Sequence, residues 1–247
     1  EIFMNFIVLA SGRGSRLKKI TKDKPKCLTK IIKNKTLLDF ISENFSENEN
    51  NIISTGYKSH LIENHLKKKN VKFIKNKNYL VTNMVESLML SKKKLIKGDL
   101  IIVYGDIFFD KKIIDQIRKI KGNVIPVNSN WLKSWKKRYS TLKDIKRDAE
   151  DLVVSKGKIK SIGNEIGNKL PKFQYMGIIK INQKTFNNLK KFYKTLNNKK
   201  ISLTEFINSS IKSKIADYKY YPSKYYWYEV DNYKDLKYLK KDLKKKF

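Results

Sequence analysis

The first half of the chain alternates between short apolar runs and longer segments in which apolar residues recur every three or four positions. The runs predict buried strands, and the periodic segments predict amphipathic helices. Strands are predicted over residues 2–9, 51–55, 71–74, 100–104 and 124–127, with a short extended piece at 30–32, and helices over 37–45, 60–69 (with Ser59 as N-cap), 84–94 and 111–121. This alternation is typical of a parallel sheet with helices on both faces.

The second half of the chain is less regular. Its pattern predicts a hairpin over 152–162, a strand over 173–181 with Gly177 inside it, helices over 185–196 and 203–211, strands over 217–221 and 226–230, and a terminal helix over 233–247. A glycine within a strand indicates a bulge or a close approach of another backbone. The polar stretch 130–148 is assigned no element. No linker rich in glycine, serine or proline separates the two halves, which predicts a single domain.

A loop of small residues follows the first predicted strand. Residues 10–15 read Ala-Ser-Gly-Arg-Gly-Ser, and Arg16 and Lys26 add positive charge behind them. Glycines let a backbone approach a ligand closely, and successive N–H groups can form a concavity that binds anions. A bare GxG is more often an ordinary turn, but the strand before it and the cations after it favour a polyphosphate site. The GxxxxGK and GxGxxG patterns are missing, which argues against P-loop kinases and dinucleotide-dependent oxidoreductases.

Further polar turns follow other predicted strands. Residues 55–57 (Thr-Gly-Tyr) follow the second strand, and residues 105–106 (Gly-Asp) follow the fourth. The carboxyl ends of parallel strands meet at one edge, where ligands bind. Asp231 ends a strand in the second half, and together with Asp106 it could hold Mg²⁺, although each aspartate alone could be a helix N-cap. Glu229 is expected to face away from the metal and to serve a second substrate.

The strongly basic composition says less about the protein's partners than its net charge first suggests. The chain has 56 basic and 23 acidic residues, for a formal net charge of +33. A strongly basic chain suggests nucleic acid or an acidic membrane surface as partner. However, only five of these cations are arginines, and the lysines are scattered through every segment, whereas nucleic-acid sites usually cluster arginine with exposed aromatic residues. We therefore expect the charge to attract small anionic substrates, with no nucleic acid and no membrane as partner.

Other classes of site are disfavoured by what the sequence lacks. Cys27 is the single cysteine, so there is no disulfide framework and no cysteine-based metal site. No apolar run approaches the roughly 20 residues of a membrane span, and no secretory signal is visible. These observations predict a cytoplasmic protein.

Several stretches resemble a known family. Residues 9–17 with Lys24-Pro25-Lys26 resemble the signature loop of sugar-1-phosphate and small-metabolite nucleotidylyltransferases, although Ala10-Ser11 stands where the family usually has Ala-Ala or Ala-Gly. Residues 103–106 resemble its strand-ending metal aspartate. Residues 55–57, 83–88 and 228–231 look more like the bacterial cytidylyltransferases that act on phosphocholine and related phospho-metabolites. Trp131, Trp135, Arg138 and residues 148–151 look like the acceptor region of that subgroup. The resemblance spans nearly the whole chain.

The resemblance implies a Rossmann-like, mixed but mainly parallel sheet flanked by helices, of the nucleotide-diphospho-sugar transferase type, with a small β-rich acceptor-binding insertion. It implies a nucleotide-binding half over 1–128, an acceptor-binding half over 129–232 and a C-terminal helix over 233–247. The implied partners are CTP and a small phosphorylated acceptor such as phosphocholine or phosphoglutamine, bound by a monomer or homodimer. The product would be a CDP-linked precursor for surface polysaccharide or capsule modification.

The implied mechanism is attack of an acceptor phosphate oxygen on the α-phosphorus of the nucleotide, with departure of pyrophosphate. A phosphate monoester has a second pKa of about 6, so it is already a nucleophile and no general base is needed. Arg16 would hold the β- and γ-phosphates, Lys26 would neutralise the α-phosphate, and Asp106 and Asp231 would hold Mg²⁺.

The remaining candidate residues fall into two sets. The candidates for binding the nucleotide are Leu9, Ala10, Ser11, Gly12, Arg13, Gly14, Thr55, Gly56, Tyr57, Asn83, Ser87 and Gly105. The candidates for binding the acceptor are Trp131, Trp135, Arg138, Glu150, Tyr175, Tyr228 and Glu229. Aromatic rings suit a quaternary ammonium group, and an arginine beside carboxylates suits a zwitterion, which keeps both kinds of acceptor open.

Three alternative functions remain open. A sugar-1-phosphate nucleotidylyltransferase would have the same fold. A glycosyltransferase that consumes nucleotide-sugars would typically carry two aspartates around one residue, whereas Tyr104-Gly105-Asp106 has only one. A basic nucleic-acid-binding protein is the alternative from a different class.

Overall fold

A computed structural model describes residues 3–245 of the chain. Its strands, in chain order, are β1 (Met4–Ala10), β2 (Lys30–Ile32), β3 (Lys35–Thr36), β4 (Asn50–Thr55), β5 (Lys72–Lys75), β6 (Asp99–Tyr104), β7 (Ile107–Phe109), β8 (Val124–Asn128), β9 (Asp151–Ser155), β10 (Lys158–Asn164), β11 (Gln174–Tyr175), β12 (Ile178–Ile181), β13 (Lys219–Ser223) and β14 (Trp227–Glu229). The helices are α1 (Leu37–Ser42), α2 (Ser59–His65), α3 (Met84–Ser91), α4 (Lys112–Lys119), α5 (Trp131–Arg138), α6 (Leu142–Asp148), α7 (Gln183–Thr195), α8 (Leu203–Lys212) and α9 (Tyr233–Lys244). Two 3-10 turns, Ser15–Thr21 and Lys26–Leu28, follow β1.

The large sheet has the order β5-β4-β1-β6-β12-β8-β13-β10-β9, with β11 paired to β8. The strands β5, β4, β1 and β6 are parallel to one another, β12 is antiparallel to both β6 and β8, and β13 is parallel to β8. The predicted mixed, mainly parallel sheet is therefore confirmed. The hairpin β9–β10 extends the same sheet beyond β13.

The register of the parallel strands fixes where the site forms. Every residue of β1 is buried, and its last residue, Ala10, pairs with Thr55 while Leu9 pairs with Tyr104. The loops that follow β1, β4 and β6 therefore start at the same edge of the sheet, as the strand-end argument predicted.

A smaller two-stranded sheet completes this edge. The strand β14 pairs with β7 in antiparallel register, with Glu229 opposite Ile107, and the Val230 N–H donates to the carbonyl of Asp106 at 3.0 Å. This pairing brings the end of β14 to the end of β6, although the two segments lie far apart in sequence.

A second apolar cluster lies beneath the terminal helix. Leu236, Leu239 and Leu243 of α9 pack with Leu17 and Leu37, which confirms the predicted inward face of this helix. The helix starts at a capping box, in which the Asn232 side chain accepts from the Asp235 N–H and the Asp235 carboxylate accepts from the Asn232 N–H. The predicted residues 246–247 of this helix, like Ile2 of the first predicted strand, lie outside the described residues.

Three local expectations differ from the structure. Ser59 is not the N-cap of α2, because that position is held by Lys58 in the left-handed conformation (φ 45°) and lies one residue earlier. The predicted strand 173–181 is divided into β11 and β12 at Gly177, whose φ is +72° and where a Cβ would lie 3.1 Å from the Tyr104 ring. The stretch 130–148 contains two helices, α5 and α6. The buried face of α5 includes Arg138 beside its two tryptophans, so the spacing of apolar residues alone does not predict this helix.

No helix among residues 3–245 has both the length and the apolar character that crossing a membrane requires.

Candidate active site

The glycine loop after β1 holds a lysine side chain against its backbone. Gly14 adopts φ +70°, and a Cβ at this position would lie 2.6 Å from Cβ of Lys26. The Gly14 carbonyl accepts from the Leu17 N–H at 3.0 Å and from the Thr21 hydroxyl at 2.8 Å. Both the positive φ and the close approach require glycine here, and the loop thereby packs along the aliphatic stem of Lys26.

Gly14→Ala is expected to lower the free energy of unfolding by about 1–3 kcal/mol, since it combines a strained φ with a steric contact. Urea unfolding followed by circular dichroism measures this loss. Gly12→Ala is the matched control, because nothing lies within 4 Å of a Cβ at Gly12 and its φ is not in the left-handed region. Equal losses in the two variants would contradict this account of Gly14.

Four predicted catalytic residues meet in one charged cluster. The Nζ of Lys26 donates to Oδ2 of Asp106 at 2.9 Å and to Oδ1 of Asp231 at 3.1 Å. Nη2 of Arg16 donates to the same Oδ1 of Asp231 at 2.8 Å. Lys26 is only 7% exposed, whereas 68% of the Arg16 side chain is exposed. The lysine is thus a fixed charge of the site, and the arginine can reach a ligand in solvent.

The cluster perturbs its own acids and bases. Burial alone would lower the pKa of Lys26, but Asp106 and Asp231 outweigh it, and the pKa is raised. Burial alone would raise the pKa of Asp231, but Lys26 and Arg16 outweigh it, and the pKa is lowered. Lys26 and Asp231 are therefore both charged at neutral pH.

A third carboxylate joins the two aspartates. Oxygens of Asp106, Glu229 and Asp231 all lie within 4.8 Å of one another. The expectation that Glu229 faces away from the metal position is wrong, because its carboxylate lies on the same side as those of Asp106 and Asp231. Burial, together with the nearby Asp231 and Asp106, raises the pKa of Glu229 well above its ordinary value.

These carboxylates fit a divalent cation. Oδ1 of Asp106 is buried and accepts no hydrogen bond from the described residues, while Oδ2 of the same residue is bonded to Lys26. An unpaired carboxylate oxygen beside two further carboxylates is the type of donor set that Mg²⁺ takes.

Two cavities open on either side of the charged cluster. The first, of about 310 Å³, contains the glycine loop and is lined by Leu9, Ala10, Ser11, Gly12, Gly14, Ser15, Arg16, Lys26, Cys27, Asn76, Tyr79, Thr82, Asn83, Met84, Ser87, Gly105 and Asp106. The second, of about 250 Å³, is lined by Arg16, Met84, Tyr104, Ile107, Trp135, Asp148, Glu150, Gln174, Tyr175, Gly177, Ser202, Thr204, Trp227, Glu229 and Asp231. Arg16 and Met84 belong to both linings, so the cavities adjoin.

Most of the residues predicted to bind nucleotide line the first cavity, but four do not. Arg13 lies with its guanidinium carbon 5.5 Å from the Tyr57 ring centre, and the Tyr57 N–H donates to the Ser11 carbonyl at 3.0 Å. A Cβ at Gly56 would lie 2.5 Å from that same carbonyl. Arg13 is exposed, and neither it nor Thr55, Gly56 and Tyr57 lines the cavity.

The predicted acceptor residues divide between the second cavity and the core. Its lining includes Trp135, Glu150, Tyr175 and Glu229. Tyr228 lies on the other side of β14, where it packs into the cluster beneath α9, because successive residues of a strand alternate in direction. Trp131 is 2% exposed and donates from Nε1 to the Pro171 carbonyl, so it belongs to the core.

Arg138 is the clearest departure from the predicted acceptor site. It is 1% exposed, and its Nε and Nη2 donate to the two carboxylate oxygens of Asp235 at 2.8 and 3.1 Å. Asp235 in turn accepts from the Asp231 N–H at 3.0 Å. The guanidinium therefore supports the backbone that carries Asp231, and it does not line the second cavity.

Sequence reasoning missed several lining residues. In the first cavity these include Asn76, Tyr79 and Thr82, and Asn76 directly follows β5, so the strand-end rule could have identified it. In the second cavity they include Gln174 and Thr204. The Thr204 hydroxyl donates to Glu150 at 3.0 Å, a contact that no local pattern marks.

The chain is similar to known proteins along most of its length. A family model described as nucleotidyl transferase matches residues 5–246. A CTP:phosphoglutamine cytidylyltransferase of Campylobacter jejuni is 31% identical over 253 aligned positions, which cover 94% of this chain and 98% of the relative. The bifunctional protein GlmU of Methanococcus aeolicus is 28% identical over 126 positions, covering 51% of this chain and 30% of that protein.

Solved structures with a similar fold cover nearly the whole chain. The inositol-1-phosphate CTP transferase of T. maritima superposes with a TM-score of 0.75 at 19% identity, covering 99% of this chain and 97% of the other. The CTP:phosphocholine cytidylyltransferase of Streptococcus pneumoniae gives a TM-score of 0.72 at 19% identity, covering 98% and 100%. At these identities the likeness concerns the fold.

Proposed function

Because this chain belongs to the nucleotidyl transferase family, we propose that it transfers a cytidylyl group from CTP to a small phosphorylated metabolite and releases pyrophosphate. The observation that carries the proposal is the position of Lys26, which bridges Asp106 and Asp231 at the junction of two cavities. One cavity has the glycine loop of a nucleotide site, and the other is lined by aromatic and acidic side chains suited to a different ligand.

The chain's own groups suit in-line displacement at an α-phosphate. The acceptor phosphate is already a nucleophile at neutral pH, so what the protein must supply is positioning and charge. Lys26 is held rigidly by its carboxylate partners and by the loop, which places a positive charge where the α-phosphate gains negative charge. Arg16 is exposed enough to release Asp231 and bind the departing phosphates.

Mg²⁺ is part of the proposal, with Asp106 and Asp231 as its protein ligands and Glu229 close enough to contribute. When bound, it would neutralise charge on the phosphates of nucleotide and acceptor. Asp106 Oδ1 is the oxygen best placed for this role, since it has no other partner among the described residues and is already buried.

We propose that the acceptor carries a cationic group in addition to its phosphate. The second cavity presents the carboxylate of Glu150 beside the rings of Trp135, Tyr175 and Trp227, whereas its other carboxylate on this side, Asp148, is ion-paired with Arg138 at 3.4 Å. Carboxylates and aromatic faces both attract ammonium groups, whether primary or quaternary. An amino-acid-derived phosphate such as phosphoglutamine, or phosphocholine, has this chemistry, and the CDP-linked product would serve as a cytoplasmic precursor for surface polysaccharide or capsule modification.

Glu150→Gln is expected to raise the KM for such an acceptor about tenfold and to leave the KM for CTP within about twofold, because it removes a charge from the second cavity alone. Steady-state pyrophosphate release at varied acceptor concentration measures both constants. Glu165→Gln, at an exposed position in the same half of the chain, is the matched control and should change neither. A larger effect on CTP than on the acceptor would contradict the assignment of this cavity.

The function as a whole is tested by a screen of pyrophosphate release. CTP, UTP, ATP, GTP and dTTP are paired with phosphocholine, phosphoglutamine, phosphoethanolamine, inositol-1-phosphate and glucose-1-phosphate. Release is expected with CTP and an acceptor that bears an amino or quaternary ammonium group. Release only with sugar phosphates would support a sugar-1-phosphate nucleotidylyltransferase, and no release with any pair would overturn the proposal.

A further inference from the structure

A buried chain of polar side chains runs beneath one end of the first cavity. The Asn76 Nδ2 donates to the Ser87 hydroxyl at 3.0 Å, the Ser87 hydroxyl donates to that of Ser11 at 3.0 Å, and the hydroxyls of Ser11 and Ser54 lie 2.9 Å apart. All four side chains are at most 8% exposed. Asn76, Ser87 and Ser11 also line the cavity, so this chain of hydrogen bonds ends at the ligand position.

The orientation of the Asn76 amide determines which group donates and which accepts in each of these hydrogen bonds. Its Oδ1 accepts from the backbone N–H of Asn78 at 2.9 Å, so the amide orientation is set by a group that can only donate. Its Nδ2 hydrogens are used by Ser87 and by the Thr82 hydroxyl, which in turn donates to the Asn78 carbonyl. Ser87 therefore accepts from Asn76 and has its own hydrogen available for Ser11.

Ser54 completes the assignment. Its side chain is fully buried, and among residues 3–245 its hydroxyl has Ser11 as its hydrogen-bond partner. If Ser11 donated to Ser54, the Ser54 hydrogen would be buried without an acceptor, which native proteins rarely tolerate. Ser54 therefore donates, and the Ser11 oxygen accepts two hydrogen bonds. Its own hydrogen must then point away from both partners, towards the cavity.

We propose that Ser11 is a specificity-determining residue that presents a fixed hydrogen-bond donor to the nucleobase. This inference rests on the proposed use of CTP. The charged side chains of the first cavity are Arg16, Lys26 and Asp106, which suit the phosphates, whereas the end built from Ser11, Ser87 and Asn76 has no charged group and is left for the nucleoside. Cytosine carries a lone pair at N3, while uracil carries a hydrogen there, so a fixed donor at this position favours cytosine.

The test is binding of CTP and of 3-deazacytidine triphosphate, in which a C–H replaces N3, by calorimetry with Mg²⁺ and without acceptor. The wild-type chain is expected to bind the analogue about tenfold more weakly than CTP, the size of one neutral hydrogen bond to a buried group. In Ser11→Ala, CTP affinity should fall about tenfold and the two nucleotides should bind within about twofold of each other. An unchanged preference for CTP over the analogue in this variant would overturn the proposal.

Companion variants separate a specific role from a loss of packing. Ser11→Thr keeps the hydroxyl and is expected to retain most of the preference for CTP over the analogue. Ser91→Ala is the matched control, since it removes a buried hydroxyl from the same helix as Ser87. The Ser91 hydroxyl donates to the Ser87 backbone carbonyl and makes no hydrogen bond to the side chains of Asn76, Ser87, Ser11 or Ser54. A preference lost in Ser91→Ala as well would overturn the assignment to Ser11.

The inner partners give an independent measurement. In Ser54→Ala the Ser11 hydroxyl loses one of its two donors and can turn to accept a hydrogen bond from the base. The ratio of UTP affinity to CTP affinity is therefore expected to rise several-fold, and an unaltered ratio would overturn the fixed direction of the Ser11 hydrogen.

Failure of the proposed function can be distinguished from failure of the role of Ser11, because the function is measured as turnover and the role of Ser11 as nucleotide binding. No pyrophosphate release, with the nucleotide preferences as expected, would overturn the function and leave the role of Ser11 intact. No binding of CTP would overturn both.

Discussion

Asp106→Asn is expected to lower kcat at least about a hundredfold, equivalent to about 2.7 kcal/mol of transition-state stabilisation, with the fold unchanged. The substitution keeps the shape of the side chain but removes the charge that both Lys26 and the proposed cation require. It also changes Oδ1, the buried oxygen that has no hydrogen-bond partner among residues 3–245. In asparagine this position becomes either an amide oxygen, which is a weaker metal ligand, or an NH2 group, which is not a ligand. Pyrophosphate release measures the loss, and circular dichroism checks the fold.

The same variant should bind the metal more weakly. Titration of the CTP complex with Mn²⁺, followed by electron paramagnetic resonance, is expected to show at least a tenfold loss of affinity. Asp110→Asn is the matched control: it lies four residues later, its Oδ1 caps the Lys112 N–H, and an asparagine can make that same contact. Activity of Asp106→Asn near that of Asp110→Asn would remove Asp106 from the mechanism.

Lys26→Met is expected to reduce kcat by a similar factor of at least about a hundred, because it keeps the packed stem and removes the charge that faces the α-phosphate. The exposed Lys22→Met provides the control for loss of one positive charge in a chain of net charge +33. If Lys26→Met retained more than about a tenth of the activity, the lysine would act only through binding the nucleotide, and KM would carry the whole effect.

Lys26→Met also has a pH signature in stability. The pKa of Asp231 is lowered in the folded protein, against the effect of burial, by Lys26 and Arg16. A carboxyl with a lowered folded-state pKa stabilises the fold above its unfolded pKa of about 3.9, and this contribution is lost as the pH falls through the folded-state value. Without Lys26 the pKa of Asp231 rises, so the variant should lose more unfolding free energy at pH 7 than at pH 3. Equal losses at both pH values would contradict this coupling.

The first half of the site was accessible from sequence because local rules govern it. An apolar run followed by small residues indicates the end of a strand. The alternation of strands and helices places several such strand ends at one edge of the sheet. Lys26 was identified on the same basis, as a cation close behind the loop. The sequence pattern does not predict that Gly14 packs against Lys26 and positions it, because this contact joins two separate turns.

The second half depends on pairings that have no local signal. The strands β7 and β14 are three residues each, and only their long-range register brings Asp231 beside Asp106. The sequence favours Arg138 as an acceptor ligand, because an arginine near aromatic and acidic residues suits a zwitterion. In the structure the Arg138 guanidinium instead forms a buried ion pair with Asp235. Residue type alone does not distinguish charged residues that form buried pairs from those that bind a ligand.

The order of the central sheet has a consequence for how the chain is made on the ribosome. The strand β6 carries Asp106 at its end, and its far edge is covered by β12, which is synthesised some 75 residues later. The leucine, isoleucine and valine residues of β6 are fully buried in the complete fold. Until β12 is synthesised, the N–H and C=O groups along that edge of β6 are unpaired, and such an edge can pair with another chain and start aggregation. The half of the chain that holds the proposed nucleotide site is thus synthesised long before the edge of β6 is covered. Its protection from aggregation depends on the later segment that also lines the second cavity.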